Sequence, residues 1–417
     1  MTTSLTLPFI ACVLAALASR LVLGARQIAH VRAHRDKVPA AFAGTIPLDA
    51  HRKAADYTAA RMRLALLGAI VDTGWLFVLT LGGGIAFAQR IATGLAGDGI
   101  AGGVLTIALT GIAGALLSLP LTLASTFGVE ARFGFNRVTP GLFVADLVRH
   151  ALVAAVLLLP LTALALWLMQ AAGEMWWLWA WGAWALFSLA MLVLYPLLIA
   201  PLFNHFTPLA DPALETRIGA LLTRAGFAAR SVLVMDGSRR SGHGNAYFTG
   251  FGKARRIVFF DTLLCSLAPD EIEAVLAHEL GHYRLHHIRK RVATTLAASL
   301  ALFALLGLLA RESLFYQTLG VSLPTATNAT ALLLFSLVLP VLLYWLTPLS
   351  SYLSRRHEYE ADAFAARVSD GAALSRALVK LYRDNASTLT PDPLYSAFYD
   401  SHPGASARLA HLQGCLR

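Results

Sequence analysis

The chain has 417 residues, 57% hydrophobic and only 14% charged, with 34 Lys and Arg against 24 Asp and Glu for a net charge of +10; its mean hydropathy is +0.62. A soluble domain carries about 25% charged residues, so a soluble class is excluded and an integral membrane protein is expected. Nucleic-acid binding is excluded as well, because the basic residues cluster between apolar runs, as the positive-inside rule describes.

An apolar run of roughly 18–25 residues can cross a bilayer as a helix. Seven are present, at about 4–23, 65–88, 101–124, 149–171, 175–200, 293–310 and 329–349. Met1 to Thr6 carry no Lys or Arg, so the first run reads as a retained span rather than a signal peptide. Basic loops alternate with nearly neutral ones. Arg26, Arg32, Arg35, Lys37, Arg52 and Lys53 follow span one, whereas Glu174 is the charge after span four, beside the interface-type Trp176, Trp177, Trp179, Trp181 and Trp184. The alternation predicts an outside N-terminus and puts both large polar segments, 201–292 and 350–417, on the cytoplasmic side. Cys12, Cys265 and Cys415 are too scattered for a disulfide framework or a Cys-x-x-Cys metal site.

Within 201–292, Asp211 to Gly226 has a helical pattern and Ser231 to Met235 reads as a strand. Asn245 to Gly250 and Arg256 to Phe260 read as two strands around a Gly252-Lys253 turn. Pro269-Asp270 opens a helix, with Asp270 as the expected N-cap, and Ile272, Val275, Leu276 and Leu280 repeat at helical spacing.

That helix carries His278-Glu279-Leu280-Gly281-His282. Residues four apart share a helix face, so His278 and His282 can point two imidazoles at one ion. Glu279 lies one position round, where it can exchange protons with water at a metal. Zinc held by three protein ligands lowers the pKa of its water to about 7. A third ligand is needed, and Ile288 stands where a metzincin has its third histidine. The alternative is a carboxylate from the segment after span seven, Ser354-Arg355-Arg356-His357-Glu358-Tyr359-Glu360-Ala361-Asp362. Glu358 and Asp362 are four apart; the first can ligate while the second can hydrogen-bond a ligand imidazole. Glu360 is a rival ligand, about 200° round the helix from Glu358. His243, His286 and His287 read as bland, the last two as interfacial. Asp72 and Asp146 are acids in or beside spans, which lipid penalises.

With these segments in view, the sequence resembles the integral-membrane type-1 CAAX prenyl proteases, which are gluzincin-type zinc endopeptidases. The matching segments are Glu130 to Asn136, Pro201 to Leu209, Ser241 to Gly252, Arg256 to Leu264, the His278 to His282 motif, Ser354 to Ala365 and Ser401-His402-Pro403. Gly404 departs from the family's usual second proline. The resemblance implies a mainly α fold: a seven-helix membrane bundle enclosing a chamber, with an α+β gluzincin-type zinc protease domain. It implies one Zn2+ on His278, His282 and Glu358, with Asp362 beside them. It also implies that Asn245-Ala246-Tyr247-Phe248 holds an extended substrate on a strand edge, and that His402 and Arg408 steady the oxyanion and substrate. Asp72 and Asp146 then become candidates for the chamber wall.

The expected division is a membrane domain over 1–200, with five spans, and a protease domain over 201–417 that includes the last two. The expected reaction is peptide-bond hydrolysis, with Glu279 as general base and then general acid. The implied substrates are prenylated CAAX proteins that lose a C-terminal tripeptide, and membrane lipids are the other partners. The Ala- and Arg-rich composition looks bacterial, which suggests an inner-membrane location and a competing role: clearing membrane proteins without prenyl dependence. A zinc-binding scaffold or transporter is the alternative from another class, and the intact Glu279 argues against it.

Overall fold

The computed structural model describes residues 4–227, 231–249 and 256–415. Among them seven helices are long and apolar enough to cross a membrane: Thr6–Ala33, Leu48–Leu79, Ile100–Glu130, Pro140–Ala171, Gly173–Phe203, His287–Leu309 and Asn328–Val368. Each coincides with an expected span, but most run further. The second starts at Leu48 and stops at Leu79, earlier than the expected 88. Gly82 and Gly83 fit the tight turn that follows. A Cβ on Gly82 would meet the Val78 carbonyl at 2.8 Å, and Gly83 adopts φ +75, a left-handed conformation that glycine takes freely. A separate helix, Gly84–Ala96, follows. Spans three and five continue through π-helical turns at Ala124–Glu130 and Tyr195–Ile199. Pro120 precedes the first and Pro196 lies in the second, and a missing proline N–H unsettles the regular ladder.

Leu79, Ile85, Trp176, Leu306, Leu319 and Leu334 pack one end of the bundle. Trp181 donates to Ser299 Oγ at 3.1 Å, and Trp177 fills the notch at Gly307. These two tryptophans therefore join spans five and six. Between the helices lies a chamber. A cavity of about 630 Å³ is lined by Arg20, Asp72, Tyr344 and Tyr399, and a 340 Å³ pocket lined by Tyr57, Arg61 and Asp400 adjoins it through Met62, Ala65 and Tyr395. Asp72 faces this space. Asp146 instead accepts two hydrogen bonds from Arg240, at 2.9 and 3.0 Å.

The polar segments build a four-stranded sheet in the order β1-β2-β4-β3. β1 (Phe206–Pro208) runs antiparallel to β2 (Ser231–Met235), β2 parallel to β4 (Arg256–Phe260), and β4 antiparallel to β3 (Ala246–Thr249). The expected Gly252-Lys253 turn lies outside the described residues. Ile257 and Phe259 of β4 share one core with Leu276 and Leu280 of the motif helix (Pro269–Arg284), Leu374 of Gly371–Asp384 and Leu412 of Ala405–Cys415. Span seven passes through a 3-10 turn at Tyr344–Leu346 into a helix, Thr347–Val368, here called the ligand helix.

Candidate metal centre

The motif helix begins at Pro269, with Ala268 in the cap position. Pro at the first helical position is preorganised and lacks only an N–H that has no intrahelical partner there. Glu271 reaches back to accept the Ala268 N–H at 2.8 Å. The expected N-cap, Asp270, is instead inside the first turn and pairs with Arg376 at 2.6 Å. The core face of this helix is anchored by Leu276, Ala277 and Leu280, all fully buried.

Gly281 explains why the ligand helix can come so close. A Cβ at this position would stand 3.0 Å from the Ala361 Cα, so the small residue lets the two backbones meet. Glu358, one turn from Ala361, is then delivered to the two histidines. The His278 and His282 Nε2 atoms are 3.2 Å apart. Glu358 Oε1 is 3.2 Å from His282 Nε2, and Oε2 is 3.5 Å from His278 Nε2. Tetrahedral metal bonds of about 2.0–2.1 Å place ligand atoms roughly 3.4 Å apart, and the three separations straddle that value. Glu358 Oε2 is buried without a hydrogen-bond partner. An orphaned buried carboxylate oxygen is costly, and a cation resolves it. The donor set fits a divalent metal.

Asp362 is fully buried, 2.8 Å from His278 Nδ1. Accepting that N–H leaves His278 Nε2 bare for a metal. Arg408 donates to Asp362 through Nε at 2.7 Å and Nη2 at 2.8 Å, and its Nη2 lies 3.6 Å from Glu358 Oε2. Its guanidinium is buried, and Nη2 also lies 3.1 Å from His278 Nδ1 and 3.2 Å from His278 Nε2. Burial alone would lower its pKa, but the Asp362 carboxylate outweighs this and holds it above the usual range. Burial and the Arg408 cation push the His278 imidazole down, and the Asp362 and Glu358 carboxylates lift it to about 8.

Glu279 is half-buried and makes no hydrogen bond or ion pair among the described residues, so its carboxylate is free. His402 stands at the mouth, with its side chain 64% exposed and its Nε2 3.6 Å from Glu358 Oε1. β3 is the edge of the sheet. Ala246 and Phe248 join the protease core, Tyr247 packs edge-on to Phe260, and exposed Asn245 accepts the Ala246 N–H through Oδ1 at 2.8 Å. The outer edge of β3 carries no described strand and has backbone groups available for pairing.

Two residues read as bland prove to be placed by the fold. His243 stacks on Phe135 at 4.3 Å, and its Nε2 lies 3.7 Å from Glu130, whose carboxylate accepts the Tyr57 hydroxyl at 2.8 Å. The segment leading into β3 is thereby tied to spans two and three. His287 is buried rather than interfacial, and its Nδ1 is 3.1 Å from His282 Nδ1. Its position depends on His286, whose φ of +61 separates the motif helix from the next helix, His287–Leu309. Glu360, the rival ligand, reaches His287 and not the metal-facing nitrogens.

Two family descriptions cover almost the whole sequence. "CAAX prenyl protease N-terminal, five membrane helices" matches residues 27–205, and "Peptidase family M48" matches residues 208–416. The CAAX prenyl protease 1 homolog of Arabidopsis thaliana is 36% identical over 300 residues, 72% of this chain and 70% of that one. CAAX prenyl protease 1 of Saccharomyces cerevisiae is 37% identical over 313 residues, covering 71% and 69%. The Homo sapiens homolog is 32% identical over 380 residues, covering 81% and 80%. The crystal structure of S. mikatae Ste24p superposes with a TM-score of 0.91 at 30% identity over 99% of both chains. With that fold, the histidine-carboxylate cluster and both family matches in agreement, the chain belongs to peptidase family M48 and is an integral-membrane metalloendopeptidase on the CAAX prenyl protease 1 plan.

Proposed function

We propose that the protein hydrolyses peptide bonds of extended substrates with one zinc ion held by His278, His282 and Glu358. The observation that carries this reading is the buried Glu358 Oε2, without a hydrogen-bond partner among the described residues, beside two histidine nitrogens at ligand spacing. When bound, zinc polarises the scissile carbonyl and acidifies water to a pKa of about 7. Glu279, without a hydrogen-bond or ion-pair partner among the described residues, takes the proton from the attacking water and returns it to the departing amine. The open edge of β3, Ala246 to Phe248, pairs with the substrate backbone as an added strand, and Asn245 supplements it. His402 offers its ring N–H to the developing oxyanion from the exposed mouth. Arg408 and Asp362 hold His278 and Glu358 in place.

The relatives' names support a reading of the substrates. We assign to this protein the removal of a C-terminal tripeptide from prenylated CAAX proteins, with the protease segments on the cytoplasmic side of a bacterial inner membrane. The membrane domain is 1–200 and the protease domain 201–417. A second reading, clearance of membrane proteins without prenyl dependence, is favoured by the β3 edge, because backbone pairing reads no side chain. Purified protein is assayed on a farnesylated CAAX peptide and its unfarnesylated twin, with Glu279→Gln as the control. Preference for the first supports CAAX processing, and equal cleavage of both removes it. Chelation should abolish cleavage and stoichiometric zinc restore it.

A further inference from the structure

Each of the two histidines has one nitrogen turned towards Glu358 and the other turned away. For His278 the second nitrogen meets a carboxylate directly, Asp362 at 2.8 Å. For His282 it meets another imidazole, His287 Nδ1, at 3.1 Å. The tautomers then follow by elimination. A neutral imidazole carries one N–H and one lone pair. His282 keeps its lone pair on Nε2, which faces His278 and Glu358, so its proton is on Nδ1. That N–H donates to His287 Nδ1, which must be bare. The His287 proton is therefore on Nε2, where Glu360 Oε2 accepts it at 3.0 Å. Nothing in this series of bonds is left unmatched.

We propose that His287 and Glu360 are positioning residues that fix the tautomer and ring plane of His282, a two-step counterpart of the direct Asp362 contact on His278. The proposal rests on the reading of His278, His282 and Glu358 as the zinc site.

The surroundings hold the relay in place. His287 is 4% exposed, and His357 stacks on it with centroids 4.1 Å apart and planes 14° apart. Arg356 donates to the other Glu360 oxygen at 3.1 Å. One short stretch of the ligand helix thus supplies a ligand, Glu358, and the outer partners of both histidines, Asp362 and Glu360. The two outer carboxylates differ in setting, since Asp362 is fully buried and the Glu360 side chain is 35% exposed. Outer partners of metal-bound histidines typically contribute 10–100-fold in metal affinity.

The test is zinc affinity of the full-length protein, measured by competition with a chromophoric chelator, with thermal unfolding of the metal-free protein alongside. His287→Leu removes the acceptor and should weaken zinc binding about 10–100-fold. His287→Asn puts an amide oxygen near the Nδ1 position while cutting the link to Glu360, and should stay within about threefold of wild type. Glu360→Ala should fall between the two, with little change in unfolding temperature. If His287→Leu binds zinc as wild type does, or if Asn and Leu lose affinity equally, the relay is wrong and His287 merely staples two helices. If wild type itself takes up no zinc, the reading of the site fails first, and that result is distinct from either.

Discussion

The membrane half and the protease half of this protein are held together by opposite means. Along the spans, large apolar side chains point outward: Leu152, Val156, Leu186 and Leu198 are 61–71% exposed. In the protease half, Ile257, Phe259, Leu276 and Leu280 are fully buried in a core shared by sheet and helices. Helices in a bilayer have lipid as their apolar surroundings and associate through local packing and polar links, so such a bundle can leave space inside it. A water-facing domain gets its cohesion from its own core. The consequence is a division of labour. The loosely packed half encloses a chamber, and the densely packed half holds ligand atoms to within a few tenths of an ångström.

If chemistry is confined to the dense half, a change that leaves its packing intact should still remove catalysis. Glu279→Gln is that change. Loss of a general base costs about 10²–10⁴-fold in rate, with metal content and unfolding temperature expected to stay at wild-type values. Peptide cleavage, metal analysis and a melting curve check all three. Arg408→Leu should act the other way, through the packing. It leaves the fully buried Asp362 carboxylate with the His278 imidazole but no cation beside it, and removing one partner of a buried pair destabilises by about 3–5 kcal/mol. Differential scanning should show the protease half melting early while span helicity persists by circular dichroism. One concerted loss of both would erase the distinction drawn above.

The same contrast governs what the sequence makes legible. Spans are read from length and apolarity, because a bilayer asks for little else, and all seven appear where expected. Their ends are less readable. The second stops at Leu79 before a turn that Gly82 and the left-handed Gly83 accommodate, a steric detail inside an apolar run. In the dense half, i,i+4 spacing puts His278 and His282 on one face, and it separates Glu360 from Glu358. His287 could not be read this way. It reaches His282 across the break at His286, whose φ is positive, and no periodicity signals such a break. Asp270 looked like a cap because short acids usually are, whereas Pro269 at the first helical position placed the cap earlier, at Ala268. That β3 is an edge follows from the crossover order β1-β2-β4-β3, which single-strand patterns do not encode.

Gly281→Ala probes how finely the dense half is set. Its new Cβ would press the Ala361 backbone at 3.0 Å, and overpacking of this kind costs about 1–3 kcal/mol. The ligand helix must retreat by a few tenths of an ångström, carrying Glu358 with it. Zinc affinity should therefore fall further than stability alone requires. A same-sized insertion in the membrane half, Gly111→Ala, meets nothing within 4 Å and should leave both quantities unchanged.

The smallest effect is expected at the seam. Arg240, just before β3's leading segment, grips Asp146 of span four with two charge-assisted hydrogen bonds at 2.9 and 3.0 Å. Both side chains are partly exposed, 21% and 15%, so solvent screening discounts the pair to about 1 kcal/mol. Asp146→Asn keeps the shape and one acceptor, and should lower the melting temperature only slightly. Activity should drop more for long peptides than for short ones, because Arg240 leads through His243 towards the β3 edge that an extended substrate would use. If long and short substrates suffer alike, the seam is only a weld. If only the long ones suffer, the membrane half helps to aim the strand on which the protease half works.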